Sequence, residues 1–139
     1  MATAPGEAAG GDLPRALCDV HAALADSASA PTGVVWRMTE VGRQLDANLL
    51  NLPAGQVIGT HAEPDLDVLV IVVAGSGTMS TDEGPLTLGP GRLVWLPHSS
   101  TRSLTAGPDG LAYLTVHRRR PGMQIRSGPP AHGPYAVSS

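Results

Sequence analysis

Between residues 33 and 118 the chain alternates short apolar runs with turn-forming residues, and this alternation constrains the fold more than any other feature. The separators are rich in Gly, Pro and Asp, since Gly accepts a positive φ, Pro presets φ, and Asp bonds to the nearby backbone. Because no helix-length periodic stretch interrupts the runs, alternating strands and helices are disfavoured. Many short strands at this spacing are typical of a β-sandwich or β-barrel. The runs predict strands near Val34–Met38, Ala47–Leu52, Val57–Thr60, Asp67–Ala74, Gly77–Thr81, Leu86–Leu88, Leu93–Leu96, Arg102–Thr105 and Leu111–His117.

The two ends of the chain differ in composition from this middle part. Residues 1–12 are rich in Ala, Gly and Pro, a composition typical of disordered segments, and residues 119–139 are polar and rich in Pro and Gly. We therefore expect three parts: a flexible N-terminus with a short helix over 1–32, a β-barrel over 33–118, and a polar tail over 119–139.

A short amphipathic helix is predicted ahead of the barrel, ending near Asp26. Asp12 is a typical N-cap residue, and Pro14 suits the first turn of a helix. The apolar residues that follow recur at helical spacing: Leu13, Leu17, Val20 and Leu24. We expect this helix to lie on the outside of the barrel or at a subunit contact.

Charge and cysteine content exclude several kinds of partner. The net charge is −3, so no overall positive field favours nucleic acid. The single cysteine, Cys18, excludes an internal disulfide and a cysteine-based metal site, and it favours a reducing cytoplasm. Residues 1–11 lack the pattern of a signal peptide, and the longest apolar run, Val68–Ala74, is too short to span a bilayer. The sequence therefore predicts a cytoplasmic protein without a nucleic-acid or membrane partner.

Two segments stand out when they are read together. The first is Gly55-x5-His61-x-Glu63-x4-Val68-x6-Gly75, and the second, 15 residues further on, is Gly91-x5-Pro97-x-Ser99-x2-Arg102. Their spacing resembles the two motifs of the cupin superfamily, G-x5-H-x-H-x3-4-E-x6-G and G-x5-P-x-G-x2-H-x3-N, over roughly residues 47–117. The resemblance implies an all-β fold, a single cupin-type double-stranded β-helix (a jelly-roll barrel). The short stretch between the motifs suits a compact microbial member.

In the family these motifs supply two His and a Glu, and then a His, to one metal ion. In this chain the four positions hold His61, Glu63, Val68 and Arg102. Val68 has no donor atom, and the guanidinium of Arg102 is always charged and has no lone pair for a cation. Because a metal centre normally needs at least three protein ligands, the resemblance implies the barrel without the full family metal site.

A rearranged ligand set is one way in which the interior can function. Asp67 lies near His61 in the sequence, and His117 lies on the last predicted strand. His61, Glu63, Asp67 and His117 would then bind one divalent transition metal. With such a metal, the resemblance implies an enzyme of the dioxygenase, isomerase, decarboxylase or cyclase type. Strand alternation opposes part of this set, because Asp67 faces outward if Val68 faces inward, unless a bulge or a one-residue register slip reverses it.

The interior can also function through a polar network without any cofactor. Glu63 and Arg102 can pair, with His61 bonded to the carboxylate or to a water, since buried charges need partners. An Arg aimed into an apolar pocket binds carboxylate or phosphate, and His61 beside Glu63 is a candidate catalytic pair for proton transfer. Trp95 and Tyr113 are further ligand-binding candidates in the pocket wall.

These residues favour a protein that binds a small, anionic molecule in the barrel interior. The alternatives are a metal-dependent cupin enzyme with the rearranged ligand set, and a structural or interaction protein with a vestigial pocket. The resemblance also implies a homodimer formed through outer strands. All of these hypotheses stay open at this point.

Overall fold

The computed structural model describes residues 13–27 and 33–120, which form one helix and seven strands. In chain order these are α1 (Val20–Asp26), β1 (Gly33–Arg37), β2 (Leu45–Leu52), β3 (Val57–Ala62), β4 (Val68–Thr81), β5 (Gly84–Leu88), β6 (Leu93–Leu96) and β7 (Thr101–Arg118). Antiparallel pairing gives the order β1-β2-β7-β4-β5, with β3 paired to β7 and β6 paired to β4. The predicted all-β fold with a short N-terminal helix is confirmed.

The helix is shorter than predicted because a later residue caps it. Asp19 has an extended backbone, with φ −98° and ψ 114°, and its side chain accepts a hydrogen bond from the N–H of Ala22 at 3.0 Å. This is the geometry of an N-cap, so α1 starts at Val20. The predicted cap, Asp12, lies outside the described residues. No helix within residues 13–27 and 33–120 is long and apolar enough to cross a membrane.

Seven strands form where nine were predicted, because two predicted turns lie inside long strands. Gly75-Ser76-Gly77 lies within β4, and residues 107–110 lie within β7. On one side of these bends β7 pairs with β2 and with residues 68–75 of β4, and on the other side it pairs with β3 and with residues 77–81 of β4. The single seven-stranded sheet thus folds over at these bends into two layers, and the layers, which we call the two facing sheets, enclose the interior of a jelly-roll barrel.

The bends need glycine because the two strands touch there. Gly75 has a φ of +79° and Gly110 a φ of +80°, the left-handed region that other residues disfavour. A Cβ on Gly75 would lie 2.1 Å from the carbonyl oxygen of Gly110, and a Cβ on Gly110 would lie 2.8 Å from that of Leu52. These glycines let β4 and β7 bend together. We call this meeting point the corner (residues 75–77 and 107–110).

The interior next to the corner is apolar. Inward residues alternate with outward ones along β4, so Val68, Val70 and Val72 are buried while Leu69 is 40% exposed. The buried cluster comprises Leu50, Leu52, Val68, Val70, Val72, Met79, Leu88, Leu96, Leu104, Ala106, Leu111 and Tyr113. Leu and Val dominate it, as expected of a chain that contains no Phe.

Candidate functional site

The inner face of the barrel becomes polar away from the corner. The inward residues of β7 next to the corner are Ala106 and Leu111, whereas Arg102 and Thr115 lie four residues further away on either side. Arg102 is 2% exposed and Thr115 is 0% exposed. Because the two halves of β7 belong to facing sheets, both side chains stand at a similar distance from the corner. With two histidines they form what we call the polar end of the interior, which comprises His61, Arg102, Thr115 and His117.

Arg102 carries its charge inside the barrel. Its Nη1 donates to the carbonyl oxygen of Ser100 at 3.2 Å, whereas Nε and Nη2 are buried and have no hydrogen-bond partner among the described residues. Nε and Nη2 lie on one edge of the planar guanidinium, the geometry that binds a carboxylate through two parallel hydrogen bonds. Burial lowers the pKa of Arg102 and the charge of Glu63 raises it, but the guanidinium stays protonated.

His61 lies beside Arg102, because the two residues are direct partners in the β3–β7 register. Such partners share one face of the sheet. Nδ1 of His61 lies 2.9 Å from the carbonyl oxygen of Gly59. A carbonyl only accepts hydrogen bonds, so Nδ1 is the donor in this contact. Nε2 is buried and has no partner in the described part of the chain, so His61 offers an unpaired ring nitrogen to the interior.

The facing sheet adds two hydroxyl groups and a second histidine. The hydroxyl oxygens of Tyr113 and Thr115 are buried and find no partner within residues 13–27 and 33–120. Burial raises the pKa of Tyr113 well above its ordinary value, so the phenol stays neutral. His117 is 9% exposed, and its Nδ1 lies 2.8 Å from the carbonyl oxygen of Arg118. The interior thus combines the guanidinium charge of Arg102 with two hydroxyl groups and two imidazole rings.

Glu63, the predicted partner of Arg102 and His61, is bonded elsewhere. Its Oε1 pairs with Nη2 of Arg120, and its Oε2 accepts from the N–H of Asp65 at 3.0 Å. Partial burial raises the pKa of Glu63, but the hydrogen bonds from Arg120 and Asp65 and the charges of Arg120 and Arg102 outweigh it and hold the pKa below its ordinary value. Glu63 is therefore ionised, and the predicted pairing with His61 is not formed.

Asp67 and Trp95 lie on the outer surface, which corrects their predicted place in the interior. Oδ1 of Asp67 accepts from the backbone N–H of His98 at 2.8 Å and lies 2.7 Å from the Nδ1 of that residue, while Oδ2 accepts from Nε1 of Trp95 at 3.3 Å. The His98 hydrogen bonds hold the pKa of Asp67 below its ordinary value. Strand alternation explains both placements, since the neighbours Val68 and Leu96 are the inward residues, each at most 3% exposed.

The outer face around β4 and β6 exposes apolar side chains. Leu69 is 40% exposed, Leu93 59% and Trp95 61%. In the register Leu69 is the direct partner of Trp95, so these side chains are neighbours on one surface. The predicted homodimer stays a prediction.

The rearranged metal-ligand set is not brought together. Asp67 points away from the interior, and the carboxylate of Glu63 is held by Arg120. No group of three or more His, Cys, Asp or Glu side chains in the described ranges is arranged to hold a metal ion. The family's ligand positions do not fit a metal either, because Val68 has no donor and Arg102 adds a positive charge to the same space.

Two residues that shape this region, Thr115 and Arg120, are not among the site residues predicted from the sequence. Thr115 shares strand parity with Tyr113 and His117, so alternation alone identifies it once one of these is known to face inward. No sequence signal places Arg120 beside Glu63. Arg120 follows the end of β7 at Arg118, where strand alternation no longer predicts the direction of a side chain.

Comparison with known proteins gives matches in structure only. No protein-family model matches the sequence, and no curated protein matches it. A cupin-2 domain-containing protein from Shewanella frigidimarina shares 15% identity, with a TM-score of 0.55, over 69% of this chain and 92% of that chain. KdgF from Halomonas sp. shares 24% identity, with a TM-score of 0.52, over 60% of this chain and 78% of that chain. A sugar phosphate isomerase of the cupin superfamily from Silicibacter pomeroyi shares 21% identity, with a TM-score of 0.51, over 57% and 53%.

These likenesses show the class of fold. The chain has the fold of the cupin superfamily, as the spacing of its glycines, His61 and Pro97 predicted. Its barrel departs from the family's metal motif at three of four positions, with only His61 unchanged.

Proposed function

We propose that this cupin-fold protein binds a small carboxylate-bearing molecule inside its barrel, and that the Nε–Nη2 edge of Arg102 binds the carboxylate. The observation that carries the proposal is the state of that side chain. Arg102 is 2% exposed, yet two of its three nitrogens have no partner among the described residues. The free edge is the one whose shape matches a planar carboxylate.

Stability alone gives no reason to keep such a residue. Each buried donor without a partner costs about 1–3 kcal/mol, and apolar side chains often serve at least as well as buried charges. A carboxylate would supply two charge-assisted hydrogen bonds and neutralise the guanidinium at the same time. Binding therefore explains a residue that packing does not.

The other polar groups around Arg102 suit the rest of such a molecule. Nε2 of His61 is buried without a partner among the described residues, and the hydroxyl groups of Tyr113 and Thr115 both donate and accept. The two hydroxyl groups offer hydrogen bonds without a further charge. A small organic acid with further polar atoms matches this set.

A thermal-shift panel tests the proposal with a matched pair of variants. Wild type, R102M and R92M are screened against acetate, lactate, succinate, citrate and inorganic phosphate. Arg92 is exposed ahead of β6, so R92M makes the same change outside the barrel. A ligand at about 100 times its Kd adds about 2.7 kcal/mol of stability. We expect at least one carboxylic acid to raise the Tm of wild type and R92M by several degrees and to leave R102M unchanged.

Equal shifts in wild type and R102M would place the acid outside the barrel and contradict the proposal. If phosphate alone raised the Tm, the bound group would be phosphate, and the proposal of a carboxylate ligand would be wrong. Metal analysis of protein purified without a His tag addresses the enzyme alternative separately. Metal at one equivalent would favour the metal-dependent enzyme, because the proposed site uses no metal.

A further inference from the structure

Glu63 and the guanidinium of Arg102 lie at the same level of the barrel. The β3–β7 pairing continues past the end of β3, where the backbone N–H of Ser99 donates to the carbonyl oxygen of Glu63 at 2.7 Å. Arg102 bends back along its own strand until Nη1 reaches the carbonyl oxygen of Ser100 at 3.2 Å. Glu63 has the strand parity of His61, so its side chain leaves the backbone on the face that carries Arg102.

The carboxylate of Glu63 is nonetheless not paired with Arg102. The two charges act on each other at a distance, since each shifts the pKa of the other, but neither an ion pair nor a hydrogen bond joins them within the described residues. Both oxygens are engaged elsewhere, one by Arg120 and one by the N–H of Asp65. The Glu63 side chain is 12% exposed and that of Arg120 is 40% exposed, so Arg120 holds Glu63 from the solvent side.

We propose that Arg120 is a positioning residue that holds the carboxylate of Glu63 and thereby leaves the Nε–Nη2 edge of Arg102 without an internal partner, so that it can pair with an anion. This inference rests on the proposed function. It concerns how the edge stays unpaired and assigns Arg120 no contact with the bound molecule.

The reason lies in competition between two carboxylates. Without Arg120, the Oε1 of Glu63 loses its charged partner, and Nε and Nη2 of Arg102 are buried cationic donors without a partner among the described residues. Because Glu63 is tethered, it would act as an internal ligand at an effective concentration of about millimolar or more. A Glu63–Arg102 ion pair would then occupy the edge that the external acid needs.

Acetate titrations of five proteins test this inference. They follow the nitrogen-15 signals of the Arg Nε–H groups in wild type, R120Q, E63Q, the double variant E63Q/R120Q, and R119Q. Arg119 is the adjacent arginine, so R119Q controls for the loss of one positive charge near the same end of β7. A charge-assisted hydrogen bond is worth about tenfold to a hundredfold in an equilibrium constant. We expect R120Q to bind acetate about tenfold or more weakly than wild type, and R119Q to stay within about twofold of wild type.

The double variant decides the mechanism. A Gln at position 63 carries no charge to pair with Arg102, so E63Q/R120Q is expected to recover affinity to within about twofold of wild type, and E63Q alone to bind at least as tightly as wild type. Equal weakening in R120Q and E63Q/R120Q would mean that Arg120 acts on the ligand directly, and would overturn the inference. Unchanged binding in R120Q would overturn it too.

The failure of this inference is distinguishable from failure of the proposed function. If R102M binds acetate as wild type does, the Arg102 site itself is wrong. If R102M loses binding while R120Q keeps it, only the role of Arg120 is wrong. Should R120Q fail to fold, E63Q and E63Q/R120Q are compared: equal binding supports the inference, because Arg120 then acts only through Glu63, and weaker binding in the double variant contradicts it.

Discussion

The two ends of the barrel interior differ in polarity and in whether their buried side chains contain polar atoms without hydrogen-bond partners. Next to the corner, Leu104, Ala106 and Leu111 are buried among other apolar groups. At the polar end, Arg102 and Thr115 are as deeply buried, but they keep polar atoms without partners among the described residues. One strand, β7, supplies residues to both ends. The difference teaches that the corner end supports the fold, whereas the polar end costs stability and is the place to look for function.

Truncation at the corner end should have the largest effect. Leu111 is 1% exposed and pairs with Gly75 beside the bend, so Leu111→Ala removes packed methyl groups from a region with little freedom to relax. We expect a loss of about 2–5 kcal/mol in the free energy of unfolding, measured in urea. Leu69→Ala, on the outer face, is the control and should cost less than about 1 kcal/mol. Similar costs for both variants would remove the distinction between interior and surface.

At the polar end, replacing a buried residue is expected to keep or raise the free energy of unfolding. Arg102→Met replaces a buried charge by an apolar side chain of similar length, so two donors no longer lack partners. Without ligand, we expect R102M to be as stable as wild type or more stable by up to about 3 kcal/mol. A loss of 2 kcal/mol or more, measured in the same way, would make Arg102 a structural residue and erase the contrast between the two ends.

The smallest effect on the free energy of unfolding is expected for the Glu63–Arg120 ion pair, and this effect should depend on pH. The folded-state pKa of Glu63 lies below its ordinary value of 4.5, because Arg120 and Asp65 donate to the carboxylate. Its contribution to stability is therefore complete above about pH 4.5 and is lost as the pH falls through the folded pKa. For a pair at the surface this amounts to less than about 1 kcal/mol. Wild type should exceed E63Q in stability at pH 7, and the difference should shrink at pH 3.5; a constant difference would contradict the ion pair.

Much of the fold could be predicted from turn chemistry and alternation. The separators rich in Gly and Pro marked the strands, and alternation tied an outward Asp67 to an inward Val68, which is the orientation that the structure shows. The prediction divided each of the two long strands, β4 and β7, into two, because a bend such as Gly75-Ser76-Gly77 has the composition of a hairpin turn. Only the pairing of β4 with β7 on both sides of the bend distinguishes the two cases, and that pairing is a long-range property.

The positions of site residues along the strands could be predicted from motif spacing. The hydrogen-bond partners that their side chains select could not. Motif spacing identified His61 and Arg102, and the structure pairs them directly. The choice of Glu63 between Arg102 and Arg120 is not encoded in any local pattern, because both are arginines whose charges act on the same carboxylate. The position of Trp95 required knowing that Leu96 faces inward.

The most direct measurement of the central claim follows the Arg102 Nε–H by nitrogen-15 NMR during titration with the acid that gives the largest thermal shift. The signal is assigned by its absence in R102M. We predict a saturable downfield shift of the Nε–H proton with the same Kd as the thermal effect, because a carboxylate would accept from Nε and Nη2 together. A thermal response without any change in this signal would show that the acid binds elsewhere and that the buried edge of Arg102 is not the binding site.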